Sequence, residues 1–208
     1  MRPPTSSNES AWRDRDNGVG DGVGDGPNER YERMSIAVVV GNPKAGSRTL
    51  RVAQAVADLL VERLIAADQL GENTERLVVD LADVAGELFE YPSQKIDDLL
   101  ASVAASDLVI AASPTYKATY TGLLKAFFDR YGNNGLAGAV AIPVMTGAAP
   151  IHALAPEWHL RPLLVELGAT TPTRGLYVTE AQFDDLDGVI GAWADTAAPL
   201  VARALVAT

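Results

Sequence analysis

Cysteine is absent from all 208 residues. That absence removes disulfides, thiolate catalysis and cysteine-ligated metal at once. Histidine is almost missing as well; His152 and His159 stand without a nearby carboxylate pattern and make a poor metal site. Positive charge is scarce, with 17 lysines and arginines against 27 acidic residues for a net charge of −10. A nucleic-acid partner needs a basic face that releases counterions, so none is expected. Any anionic ligand must be held by local geometry rather than by the overall field. No uninterrupted apolar run reaches the ~18 residues that span a bilayer. The N-terminus lacks the apolar core of a secretory signal. A cytoplasmic protein with no membrane partner is the expectation.

What is present divides into a polar head and a patterned body. Residues 1–33 are rich in Gly, Asp, Asn and Arg and read as a disordered extension, because such a segment buries too little apolar surface to offset its ordering entropy. The glycine–aspartate repeat from Gly18 to Gly26 suggests calcium binding, but two short units are too few for a stacked solenoid. Met34 is a candidate start, and residues 34–208 are read as one domain.

The body opens on its most informative stretch. Ile36 to Val40 run without a polar break, as a strand covered on both faces should. Gly41, Pro43 and Gly46 then turn the chain, and Ser47 and Thr49 stand where a helix begins. Apolar residues at Leu50, Ala53, Val56, Ala57, Leu60 and Leu64 carry that helix to about Ala67, with Gly71 and Asn73 ending it. A strand is expected at 76–81, a loop at 83–93, and a helix at 94–105. The next strand, 108–112, leads through Ser113-Pro114-Thr115-Tyr116 into a helix at about 121–130. Strand 139–144 enters the loop Thr146 to Pro150, and a helix from Pro156 to Leu167 ends at Gly168. A fifth strand at 175–179 and a long helix at 183–206 complete the pattern. Asp184, Asp185 and Asp187 read as a charge cluster at that helix start.

Alternating strands and helices predict an α/β fold with a doubly wound parallel sheet. Right-handed crossovers put every strand's C-terminal end on one edge, where ligands bind in such folds. The loops Gly41–Thr49, Ser113–Tyr120 and Thr146–Pro150 therefore share that edge.

Two phosphate fingerprints are missing from Gly41–Thr49. A triphosphate loop needs Lys then Ser or Thr after its second glycine, but Ser47 and Arg48 follow Gly46. A dinucleotide loop needs Gly-x-Gly, but Asn42 and Pro43 follow Gly41. A hydroxyl-rich helix N-terminus that holds a single phosphate remains, alongside the plainer reading of an ordinary capped helix. Flavin mononucleotide, FMN, is the natural candidate.

Three collinear segments carry a family resemblance: Asn42-Pro43-Lys44-Ala45-Gly46-Ser47-Arg48-Thr49, the run Pro114 to Lys125, and the block Thr146-Gly147 through His152 to Leu164. Together they resemble NAD(P)H-dependent FMN reductases, most nearly the reductases of two-component alkanesulfonate monooxygenase systems. The resemblance implies a flavodoxin-like five-stranded sheet in the order 2-1-3-4-5. It implies hydride transfer from NADPH or NADH to FMN, supply of reduced flavin to a partner flavin-dependent monooxygenase, and a homodimer or homotetramer. Other activities consistent with it are an FMN-bound quinone or azo reductase and a flavodoxin-like electron carrier.

By the same resemblance Asn42, Lys44, Ser47, Arg48 and Thr49 would surround the flavin phosphate. Pro114, Thr115, Tyr116 and Lys117 would line the ring, with Thr146, Gly147 and Ala148 at its other edge. Asn42 and Lys44 depart from the serine and arginine common at those positions, and lysine cannot make an arginine's two-pronged phosphate contact. Ala148 replaces a second glycine. Tyr120 matches a tyrosine associated with a one-residue helical bulge at a subunit interface. His152 is expected to close a loop by hydrogen bonding, and His159 to sit on a helix face. No protein residue need act as an acid or base, because the cofactors carry the chemistry.

Overall fold

A computed structural model describes residues 34–67 and 74–207. The expectations for the 1–33 extension, its glycine–aspartate repeat, and Gly71 and Asn73 lie outside the described residues.

Strand β1 (Ser35–Val40) is buried from Ile36 onward, as its unbroken apolar run requires. It lies between β2 (Glu75–Asp80) and β3 (Leu108–Pro114), and beyond β3 follow β4 (Val140–Gly147) and β5 (Leu176–Thr179). All neighbouring pairs are parallel, so the order 2-1-3-4-5 expected from the resemblance is the observed one.

Period-two alternation divides β1 between two cores. Ile36, Val38 and Val40 face α1 (Arg48–Ala66) and α5 (Leu186–Ala207) through Val56, Leu60, Ile190 and Val201. Ala37 and Val39 face the opposite layer of α2 (Gln94–Ala104), α3 (Gly122–Phe128) and α4 (Arg161–Glu166), through Ile96, Phe127 and Leu164. The stretch Glu180–Ala207 is long and apolar enough to cross a membrane by length and composition alone. Its core face, Ile190, Ala194, Ala197, Val201 and Leu205, is buried, as in the core helix of a globular domain.

Close packing near the sheet edge depends on one glycine. A Cβ added to Gly41 would lie 2.4 Å from Leu124 Cβ, so any side chain there would push α3 off the sheet. Thr121 fixes the same junction, since its hydroxyl donates to Gly41 O at 2.5 Å and accepts from Leu124 N–H at 3.2 Å.

Several boundaries differ from the sequence expectation, each for a local reason. The helix expected at 121–130 starts after Thr121, its N-cap, and ends at Phe128. Tyr120 precedes that cap and lies outside any helix, so the helical bulge expected there is not formed. The π-helical turn lies instead at Pro156–Leu160, inside the helix expected at 156–167. Glu157 and Arg161 brace it: Arg161 Nε donates to Glu157 Oε2 at 2.6 Å, and Glu157 Oε1 accepts from Gly175 N–H at 2.5 Å. The terminal helix is preceded by a 3-10 turn, Glu180–Asp185, with Asp187 in the first turn of α5. Gly168 follows α4 at φ +87°, the left-handed residue expected at that helix end.

Candidate cofactor cleft

Four loops meet at the C-terminal edge of the sheet. After β1, Gly46 adopts φ +60°, and its N–H donates to Asp80 Oδ2 at 3.1 Å, which ties the loop to the end of β2. Ser47 caps α1 by accepting from Leu50 N–H at 3.2 Å. The N–H groups of Arg48 and Thr49 belong to the first turn and have no intrahelical acceptor. Unpaired first-turn N–H groups and the helix dipole are the kind of arrangement that suits an anion. The capping role and the phosphate-seat role therefore use the same geometry.

Asn42 braces this loop from within. Its carbonyl accepts from Lys44 N–H at 2.9 Å, and its amide donates to Thr49 Oγ1 at 3.1 Å. Thr49 in turn shares a 2.9 Å hydrogen bond with Thr146 Oγ1, which links the loop after β1 to the end of β4.

After β3 the chain makes a tight turn closed by Tyr116 N–H to Thr119 O at 2.9 Å and Thr119 N–H to Tyr116 O at 3.2 Å. Its two central residues, Lys117 and Ala118, adopt φ 52° and 70°. That conformation costs a residue with a side chain about 1–2 kcal/mol, and such strain persists where surrounding structure enforces it. The turn leaves Tyr116 half exposed. The preceding Thr115 is fixed by its N–H to Thr146 O at 2.7 Å, while its hydroxyl oxygen is buried with no hydrogen-bond partner. On the facing wall, Gly147 leaves room for Tyr177, whose hydroxyl would lie 2.0 Å from an added Cβ.

These loops enclose a cleft of about 400 Å³. Asn42, Lys44, Ser47, Arg48 and Thr49 line one end, Pro114, Thr115 and Tyr116 one wall, and Thr146, Gly147 and Ala148 the other. Every expected cofactor-lining residue except Lys117 is therefore brought to a single cavity. Lys117 is exposed and does not line it. Sequence reasoning missed Glu180 and Phe183, which complete the lining from the turn after β5. The edge rule applied to the other loops would have found them, since β5 ends at the same edge. Arg48 Nη2 lies 2.5 Å from Glu180 Oε1, and its guanidinium sits 5.4 Å above the Phe183 ring.

His152 and His159 do not line the cleft. Among the described residues the His152 side chain makes no hydrogen bond, so it does not close its loop in the manner expected; a short 3-10 turn, Pro150–His152, shapes that loop through its backbone. His159 is exposed on the π-helical turn. Among the described residues no group of three His, Cys, Asp or Glu side chains could hold a metal.

The chemistry of this cleft matches an FMN-sized ligand on internal grounds. A helix N-terminus with unpaired first-turn N–H groups lies at one end, Tyr116 and Gly147 line the walls toward the other, and the unpartnered Thr115 hydroxyl offers a polar contact within. Comparison with known proteins points the same way. Residues 34–184 match the model of a family described as NADPH-dependent FMN reductase. The chain is 33% identical over 152 residues to the NADH-dependent FMN reductase SfnF of Pseudomonas putida, covering 73% of this chain and 80% of that one. It is 32% identical over 152 residues to the FMN reductase (NADPH) of Escherichia coli, covering 73% and 76%. Among solved structures it is similar to the apo form of the NADH:FMN oxidoreductase EMOB, with a TM-score of 0.68, 28% identity and coverage of 78% and 87%.

Proposed function

Because this chain belongs to the NADPH-dependent FMN reductase family, we propose that its cleft binds FMN and admits reduced nicotinamide for hydride transfer to the flavin. The observation that carries this reading is the meeting, in one cavity, of the capped helix N-terminus at Ser47–Thr49 and a wall bearing the orphan Thr115 hydroxyl. Bound FMN supplies the hydride-accepting chemistry. The protein's residues do the rest. Ser47, Arg48 and Thr49 hold the phosphate end with first-turn N–H groups, hydroxyls and a cation. Thr115 and Tyr116 with Gly147 and Ala148 hold the ring between two walls and align it for a second ring. No side chain in the cleft is assigned a proton, since hydride transfer needs no protein base.

The names of similar proteins divide between NADH and NADPH, and either donor fits this reading. Anaerobic stopped-flow with each nicotinamide, with and without free FMN, tests it. Bleaching of the flavin band by one or both donors is expected. No nicotinamide oxidation by the FMN-loaded protein would instead identify a flavodoxin-like electron carrier.

We further propose that the protein releases reduced FMN to a flavin-dependent monooxygenase in the cytoplasm. The solvent-exposed cations of the phosphate seat support release, because exposed ion contacts hold a ligand weakly. Saturation kinetics in added free FMN is the expected result; full turnover of a quinone without added flavin would favour the quinone or azo reductase. The homodimer or homotetramer implied by resemblance is supported by Ile151, Leu154 and Trp158, which are 82%, 53% and 72% exposed beside the cleft. Analytical ultracentrifugation at several concentrations checks it, and a monomer throughout would refute it.

A further inference from the structure

We propose that Glu180 is an affinity-setting residue, an internal carboxylate that competes with the FMN phosphate for Arg48 and keeps the flavin releasable. This rests on the reading of Ser47–Thr49 as the phosphate seat. Of the residues lining the cleft, Glu180 is the single carboxylate, and it stands at the end where an anion is to bind. Its Oε1 lies 2.5 Å from Arg48 Nη2, so a cation lining that end of the cleft already has an anionic partner within the chain. Phe183 supports the guanidinium from one face at 5.4 Å.

The position of Glu180 is built rather than incidental. It opens the turn Glu180–Asp185, which is pinned by a capping box between Thr179 and Gln182. Thr179 N–H and Thr179 Oγ1 each donate to Gln182 Oε1 at 2.9 Å. The capping box fixes the backbone from which Glu180 projects, and the carboxylate itself is engaged by Arg48 at the cleft rim.

Electrostatics decides the consequence. A phosphate monoester carries about −1.5 to −2 charges near pH 7. On binding, either Arg48 leaves Glu180 for the phosphate, or Glu180 stays as a like charge beside it. Both routes weaken FMN binding relative to a neutral side chain at that position. The flavin ring is untouched by this competition. Glu180 therefore acts on the phosphate alone, and its effect is absent for riboflavin, which has the ring without the phosphate.

The test is a fluorescence titration of FMN and of riboflavin into wild type and Glu180→Gln, at low and high salt. Glutamine preserves the shape and a hydrogen bond to Arg48 while removing the charge. The expected result is FMN binding tighter by about twofold to fivefold in E180Q, the range for exposed charges a few ångströms apart. Riboflavin affinity should not change, and the FMN gain should shrink as salt screens the charges. Unchanged or weaker FMN binding in E180Q, or equal tightening for riboflavin, would overturn the proposal while leaving the phosphate seat intact. Equal affinity of the wild type for FMN and riboflavin would overturn the phosphate seat itself, and this proposal with it. A thermal melt of both proteins without flavin verifies that the variant is folded.

Discussion

Thr49 and Thr146 share a buried hydrogen bond of 2.9 Å between their Oγ1 atoms, across 97 residues of chain. One stands in the first turn of α1, the other near the end of β4, and both line the cleft. The bond therefore ties the N-terminus of α1, at one end of the cleft, to the wall at the end of β4.

Replacing either threonine with valine should cost about 1–3 kcal/mol, because the surviving buried hydroxyl loses a partner. The double variant should cost less than the sum of the two, and urea denaturation of all four proteins measures that coupling. Additive losses would mean that the two hydroxyls do not act as a pair.

Thr115 should behave in the opposite way. Its hydroxyl oxygen is buried without a hydrogen-bond partner among the described residues. Thr115→Val should leave the ligand-free protein as stable or up to about 1 kcal/mol more stable, since an unsatisfied polar group is removed. The same change should weaken FMN and riboflavin alike, by about fivefold, if that hydroxyl meets the ring, given a net hydrogen-bond value near 1 kcal/mol. Melting temperatures and flavin titrations separate the two effects.

The turn at Lys117–Ala118 stores strain that glycine relieves. With Ala118 at φ 70°, Ala118→Gly should raise stability by up to about 1 kcal/mol, the left-handed penalty less the extra entropy of glycine. A thermal melt checks it. A lower melting temperature would show that the turn is held without cost.

Glu157 links the π-helical turn to the start of β5. Its carboxyl is held below the ordinary glutamate value chiefly by the Arg161 guanidinium, with the Gly175 N–H adding to the effect and burial opposing it. A carboxyl depressed in the folded state contributes stability above its unfolded value and loses it on acidification. The stability gap between wild type and Glu157→Gln should therefore be full at neutral pH and close as pH falls below the ordinary value of 4.5. Denaturation at pH 7, 5, 4 and 3.5 follows it. A gap that is constant with pH would remove the carboxylate charge from the account.

Much of the fold was legible because its signals are local. Ile36–Val40 and Leu108–Ala112 are unbroken apolar runs short enough, between turn residues, to read as strands covered on both faces. Helix α1 was readable from three/four spacing and the Ser47 cap. Tyr120 was misread for a corresponding reason. Its place relative to a helix depends on which hydroxyl caps that helix, and Thr121 does so by accepting from Leu124 N–H while donating to Gly41 O. The π-helical turn at Pro156–Leu160 carries no local period of its own; it is braced by Gly175, 18 residues beyond Glu157.

The sequence by itself determined the alternation of strands and helices, the shared edge of three loops, and the absence of triphosphate and dinucleotide fingerprints. All of these follow from side-chain polarity and glycine placement within about a dozen residues. Only the tertiary structure decided which groups face one another across the cleft. Arg48 meets Glu180 over 132 residues and Thr49 meets Thr146 over 97. Such pairings arise from the sheet order and the packing of α1 on it, which bring distant strand ends within hydrogen-bond range. Hydropathy selects the face that each residue buries, whereas close packing selects the neighbour it meets there.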